Sequence, residues 1–231
     1  MLELNNISAG YGKKQVLFEV SLAIKQGEIV LLIGSNGSGK STVLKTVYGL
    51  VKANEGKVFF DNENITNLAT ANLLKRGLLY VPQKNYCFDE LTVKENLEVC
   101  GLTLPKGIFK ERFDYAIQLF AELKPLLNSK PAQMSGGERQ MLTLACAMLH
   151  KPKMLLLDEP FTGLSPKNME ITIAQILRLN RDLGITFLIV EHNLKQALTM
   201  ANKVIGLKLG KVVNHFEVKS INNENLNSIF N

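Results

Sequence analysis

Apolar and polar residues alternate along 2–7 and 16–24, the period of two that marks half-buried strands. Gly27 then punctuates the chain, and Ile29–Ile33 is a solid apolar run, as a strand covered on both faces requires. Past a glycine-rich stretch, Val43, Leu44, Val47 and Leu50 recur at helical spacing and predict a helix over 41–50. A short edge strand at 56–60, a short helix at 71–76 and a strand at 77–81 stopped by Pro82 follow. From about 92 to 150 the period becomes helical, clearest at 109–123 and 136–149, with loops at Pro105, Pro125 and Pro131. That stretch reads as an inserted helical subdomain. Strands return at 154–157, 185–190 and 204–207, separated by helices at 167–182 and 194–202, and a last strand (210–218) and short helix (220–230) follow. Alternating strands and helices predict an α/β fold with a mostly parallel sheet covered on both faces.

Composition narrows the class without changing the fold. At 231 residues, 46% hydrophobic and 21% charged, the chain has ordinary globular usage and enough length for one domain with an attached subdomain, which excludes a disordered or fibrous protein. A formal charge of +6 would suit a nucleic-acid or membrane-surface protein. Lysines and arginines are instead scattered, with no block of like charge and no interleaved aromatic platform, so nucleic acid is not an expected partner. Cys87, Cys100 and Cys146 are odd in number and widely spaced, which fits neither a disulfide framework nor a zinc site; they are expected as buried thiols in a reducing cytosol. The residues from Met1 to Asn6 show no basic region followed by an apolar stretch, so no leader is expected there, and no apolar run approaches the roughly 18 residues of a spanning helix. If the protein serves a membrane, other subunits must cross it.

Candidate chemistry begins after Ile29–Ile33. Gly34, Gly39, Lys40 and Ser41 meet the spacing GxxxxGK[ST] between a predicted strand and a predicted helix. Glycines let backbone amides approach phosphates, the lysine reaches the outer phosphates and the hydroxyl binds Mg²⁺. The apolar strand at 154–157 ends in Asp158 and Glu159, followed by Pro160. Successive residues point opposite ways, so the two carboxylates take different tasks: Asp158 to hold Mg²⁺ through water, Glu159 to orient and deprotonate an attacking water. An acidic pair after a strand also serves as a helix cap; its company with the glycine loop favours the phosphate reading.

Met134, Ser135, Gly136, Gly137, Glu138 and Arg139 open the long helix that precedes the carboxylate strand. Here the chain resembles the ABC ATPase family, whose signature LSGGQ is met as MSGGE. Ser135 with the amides of Gly136 and Gly137 is a ready anion site, and Ser135 is equally a plain helix cap. The resemblance runs along essentially the whole chain. It implies a P-loop NTPase core of the RecA-like kind built from 1–83 and 151–231, an N-terminal antiparallel β-subdomain, and a helical subdomain inserted at about 84–150. It also implies ATP and Mg²⁺ as cofactors, the phosphates lying on Gly34, Ser35, Asn36, Gly37, Ser38, Gly39, Lys40, Ser41 and Thr42. Gln83 resembles the glutamine that contacts Mg²⁺ and the attacking water. His192 resembles the switch histidine at the γ-phosphate. Tyr11 matches the aromatic that stacks on adenine, with Val16 beside the base. Gly163 to Pro166 occupies the interface loop, where Ser165 stands in place of the usual aspartate.

In this family two cassettes pair head to tail, so each ATP lies between one chain's glycine loop and the partner's Ser135, Gly136, Gly137 and Glu138. The implied partners are a second ATPase subunit, identical or paralogous, transmembrane permease subunits, and a substrate-binding protein, with the chain peripheral on the inner face of the cell membrane. Within the family it is most similar to the short ATPase subunit of branched-chain amino acid importers, from the opening Met1 to Leu4, Tyr11 to Lys13, Gln26 to Val30, the signature, and Gly163 to Pro166. That subunit often has Glu and Gln where this chain has Gln83 and His192. An exporter motor for lipid, drug or polysaccharide shares the same catalytic residues and stays open, as does a non-transport ABC ATPase, although no second cassette, coiled-coil arm or zinc insertion is visible.

Overall fold

The structure is a computed structural model and describes residues 1–83, 87–105, 107–192 and 194–220. In chain order it has β1 (Leu2–Tyr11), β2 (Lys14–Ile24), β3 (Ile29–Ile33), α1 (Lys40–Val47), β4 (Ala53–Phe60), β5 (Glu63–Asn64), α2 (Thr70–Lys75) and β6 (Leu78–Val81). Then come α3 (Val93–Cys100), α4 (Phe109–Leu119), α5 (Gly136–Met148), β7 (Met154–Asp158), α6 (Pro166–Leu183), β8 (Thr186–Val190), α7 (Leu194–Ala197), β9 (Lys203–Lys208) and β10 (Lys211–Glu217).

Two sheets form. One is antiparallel in the order β2-β1-β4-β5; the other runs β10-β9-β3-β8-β7-β6, parallel except for β10. This is the P-loop NTPase architecture, with helices α3, α4 and α5 between β6 and β7. Every residue of β3, β7 and β8 is buried, which is why these strands read as unbroken apolar runs. Successive side chains go to opposite faces. Ile29, Leu31, Leu155, Leu157, Phe187 and Ile189 pack into the core under α3 to α6, while Val30, Leu32, Leu156, Leu188 and Val190 pack with α1 and the antiparallel sheet. The parallel strands thus serve both layers, and their upper ends deliver the site. Among the described residues no helix is long and apolar enough to cross a membrane.

Several predicted bounds move for local reasons. The strand expected at 56–60 begins at Ala53, because the Asn67 carboxamide accepts Ala53 N–H at 2.8 Å and donates to Ala53 C=O at 3.0 Å. It is not an edge strand, since β1 flanks it on one side and β5 on the other. The helix expected over 109–123 stops at Leu119: Phe120 leaves helical geometry (φ −125°, ψ 65°), the Arg178 guanidinium takes the Leu119 carbonyl, and Pro125 sits in the following 3₁₀ turn. The helix expected over 194–202 is only Leu194–Ala197. Past it, Thr199, Met200 and Ala201 donate three residues back, the Thr199 hydroxyl takes the Gln196 carbonyl at 2.6 Å, and Asn202 Oδ1 accepts Ile29 N–H at 2.7 Å, turning the chain into β9. The helix expected over 220–230 lies outside the described residues beyond Ser220. Of the three thiols expected to be buried, only Cys146 is; Cys87 and Cys100 are half-buried.

Candidate active site

The glycine loop leaves the end of β3 and becomes α1. Gly34 tolerates no side chain: a Cβ there would sit 2.0 Å from the Leu207 carbonyl oxygen of β9. Gly39, the residue before α1, has φ +105°, a conformation that costs other L-residues dearly. It offers no side-chain cap, and the first turn of α1 carries no acid, so the free amides of Lys40, Ser41 and Thr42 and the positive helix end face outward for an anion. The Lys40 ammonium folds over the loop, donating to the Gly34 and Ser35 carbonyls at 2.9 Å each. Burial lowers its pKa, against the opposing pull of Glu159 and Asp158.

Carboxylates from β7 meet this loop. Ser41 Oγ donates to Asp158 Oδ1 at 2.8 Å, and Tyr80 of the neighbouring β6 donates to Asp158 Oδ2 at 3.0 Å. Burial, with Asp158 beside it, pushes the Tyr80 phenol well up, so it remains a donor. Glu159 turns away from the sheet with φ +51°, a left-handed conformation that costs roughly 1 kcal/mol or more in a non-glycine residue. What holds it there is visible: its own N–H donates to Val190 C=O at 2.9 Å, and its carboxylate takes three donors. His192 Nε2 is 2.6 Å from Oε1, Thr162 Oγ1 is 3.0 Å from Oε2, and the Gln83 carboxamide donates to Oε2. The acceptor being a carboxylate, His192 Nε2 supplies the proton of the first bond.

A cleft of about 230 Å³ joins these parts, lined by Asn36, Gly37, Gly39, Lys40, Ser41 and Thr42 on one side and by Val16, Glu159 and His192 on the others. Gly34 and Ser38 are buried within the loop while Ser35 is exposed, and the Ser38 hydroxyl has no hydrogen-bond partner. Tyr11 lies at the β1–β2 turn, half-exposed and off the cleft wall. Ser135 to Glu138 stand elsewhere. Ser135 Oγ accepts Glu138 N–H at 3.3 Å while the Glu138 carboxylate accepts Ser135 N–H at 2.7 Å, a reciprocal cap on α5. A Cβ on Gly136 would meet the Leu164 side chain, and one on Gly137 the Asn168 side chain, both at 2.9 Å, so a larger residue at either place would have to push a neighbouring side chain aside. Gly136 faces a second cleft of about 350 Å³ shared with Gln83, Thr162 and Gly163, not the glycine loop of the same chain.

A family model described as ABC transporter matches residues 17–162, more than half of the chain. The chain belongs to the ABC transporter family. As one of that family's ATP-binding subunits it is 42% identical over 212 residues to the "Probable branched-chain amino acid transport ATP-binding protein LivF" of Archaeoglobus fulgidus, covering 92% of this chain and 90% of the relative. It is 39% identical over 215 residues to the high-affinity branched-chain amino acid transport ATP-binding protein BraG of Pseudomonas aeruginosa, covering 93% and 92%. Among solved structures it is similar to the dimeric ATP-binding cassette MJ0796 in a post-hydrolysis state bound to ADP and Pi, with TM-score 0.80, 30% identity, and coverage of 96% of this chain and 100% of that one. Family membership makes the chain an ATPase.

Three participants in the cassette's site went unread in the sequence. Tyr80 is an ordinary residue type whose partner, Asp158, is far along the chain but on the adjacent strand, and Thr162 meets Glu159 three residues back, a spacing that carries no signal until the loop is folded. Glu191 is the third: only 2% exposed, it accepts Phe161 N–H at 2.8 Å and His192 N–H at 2.9 Å, tying the loop after β7 to the loop after β8. A charge directly after the apolar strand Thr186–Val190 was the available signal.

Proposed function

We propose that this subunit is the motor of an importer of branched-chain or related amino acids, its 231 residues acting as one cassette. The likeness to the branched-chain amino acid transport ATP-binding proteins supports the cargo, and the motor role is supported by the meeting of three loops on one carboxylate, where Gln83, Thr162 and His192 converge on Glu159 at the mouth of the Lys40 loop. In this reading Glu159 orients the attacking water and takes its proton, and its three donors fix the carboxylate in one pose. Lys40 exchanges its two carbonyl partners for the outer phosphates of ATP. The amides of the loop, from Gly34 to Thr42, cradle the rest, and His192 lies within reach of the γ-phosphate. Tyr11 stacks on adenine with Val16 beside it.

The donor set suits Mg²⁺: Ser41 Oγ and Asp158 Oδ1 are hard oxygens 2.8 Å apart, with the Gln83 carboxamide as a third oxygen source nearby. Mg²⁺ bound there would neutralise phosphate charge. Ser135, Gly136, Gly137 and Glu138, whose helix end faces away from this chain's own loop, meet the ATP of a second cassette, identical or paralogous. ATP then joins the pair, hydrolysis parts it, and permease subunits on the inner face of the membrane take up the motion, with a substrate-binding protein delivering cargo.

Co-purification with the permease pair, followed by ATPase measurements in liposomes, tests the reading. Leucine, isoleucine or valine presented with the binding protein should raise turnover and accumulate inside. Stimulation by a lipid or drug with outward movement would instead make the chain an exporter motor, and a cassette that pairs with no membrane subunit would overturn the transport reading.

A further inference from the structure

Each oxygen of the Asp158 carboxylate has its own donor. Ser41 Oγ, at the start of α1, donates to Oδ1 at 2.8 Å, while the Tyr80 phenol donates to Oδ2 at 3.0 Å from β6, the last strand of the larger sheet. Ser41 lines the cleft and Tyr80 does not. The carboxylate therefore presents one oxygen to the glycine loop and is held from behind by the other. The geometry points to Tyr80 as a positioning residue that keeps the Asp158 carboxylate aimed at the Mg²⁺ site without touching metal or nucleotide. This role rests on the reading of Asp158 as the carboxylate of that site.

The register explains why a tyrosine stands there. Tyr80 pairs with Leu156 and Val81 with Leu157, so the β6–β7 ladder stops one residue short of Asp158. Residues two apart share a face, and Tyr80 and Leu156 both pack on the side of α1. Asp158 thus lies on the same face, diagonally ahead of Tyr80, and a side chain must reach forward along the strand to bond it. The phenol is long enough to do so. Its ring is only 8% exposed and lies tilted against Tyr48, the residue that ends α1, with centroids 5.8 Å apart. The hydroxyl is therefore anchored between α1 and β7.

Fixing that carboxylate matters because the last torsion of an aspartate is broad, and a ligand that has to be ordered on binding weakens its site. Asp158 is 5% exposed, so water contributes little to steadying it. Ser41 must share its hydroxyl between the carboxylate and the metal, whereas the phenol serves Asp158 alone among the described residues. Tyr80 is the steadier of the two. Outer donors of this kind are worth roughly ten- to a hundredfold in metal affinity. The same strand end also carries Gln83, two residues past β6, which donates to Glu159. β6 thereby sets the pose of both carboxylates at the end of β7.

Calorimetric binding of the non-hydrolysable ATP analogue AMP-PNP to the full-length subunit, in EDTA and in excess Mg²⁺, tests this. Tyr80→Phe keeps the ring and removes the hydroxyl. Its affinity should match the parent in EDTA and fall about tenfold in Mg²⁺, and the Mg²⁺ concentration that half-saturates the difference should rise by a similar factor. Asp158→Asn is the control for the metal reading itself and should lose the Mg²⁺ effect. If Asp158→Asn keeps the whole effect, Asp158 does not serve the metal and Tyr80 has nothing there to position. If Asp158→Asn loses the effect and Tyr80→Phe retains it in full, Asp158 keeps its place and Tyr80 is only a packing residue. A Tyr80→Phe variant weakened equally in both buffers, or unable to fold, would make the phenol a structural group and overturn the proposal as well.

Discussion

His192 Nε2 lies 2.6 Å from Glu159 Oε1, joining the second residue after β8 to the first after β7. These strands are paired in parallel from Met154 to Asp158, so their ends are level and the two side chains meet without any excursion of the loops. Replacing Glu159 by Gln keeps the size and most hydrogen bonds but removes the base. ATPase turnover should fall about a hundredfold or more while nucleotide still binds, and ATP should now hold the subunit as a stable dimer in size-exclusion chromatography. Full turnover in this variant would remove Glu159 from the role of base.

Glu191 sits behind this pair, off the cleft wall, and reaches the cleft through the His192 backbone. By accepting the N–H groups of Phe161 and His192 it sets the distance between the two loops. Glu191→Gln retains one acceptor oxygen and should lower kcat by about tenfold, the scale expected when a reacting group shifts slightly out of line. KM for ATP should change little, since the Lys40 loop is untouched. A merely structural role would lower thermal stability and leave kcat per folded molecule unchanged, so both are measured on the same preparation.

The parallel core was legible because burial on both faces leaves a sequence little choice but continuous apolar residues, as in Ile29–Ile33, 154–157 and 187–190. The glycine loop was legible because close backbone approach excludes side chains, as at Gly34. Helix ends were not, because they depend on partners far along the chain. Arg178 ends α4 and Asn202 ends the segment after α7, and neither signal lies within the helix it stops.

Lys40 gives a pH dependence with a definite sign. Burial holds its pKa in the free protein below the ordinary 10.5, and a bound polyphosphate would raise it again. The complex therefore binds more protons than the free protein between those two values. Affinity should be fully present below the depressed pKa and decline as pH rises through it towards the higher value of the complex. Calorimetric titration with ATP in alkaline buffers of different ionisation enthalpy should register proton uptake by the protein. Proton release, or affinity that rises with pH across this range, would contradict the assignment.

Asn96 tests the packing of the helical insertion independently of the nucleotide. It is completely buried, and its carboxamide accepts Phe88 N–H at 2.7 Å while donating to the carbonyls of Phe88, Leu91 and Thr92 at 3.0, 3.1 and 2.9 Å. No apolar side chain replaces that set, because every backbone group it satisfies would remain buried or have to find water. Asn96→Ala should destabilise the fold by roughly 2–4 kcal/mol in denaturant titration. Asn96→Asp keeps the acceptor and sets a carboxylate against three carbonyl oxygens, so it should be at least as damaging at neutral pH and recover partly in acid as the carboxylate is protonated. Equal stability of Asp and Asn at neutral pH would mean that shape, not the donated hydrogen bonds, is what this position supplies.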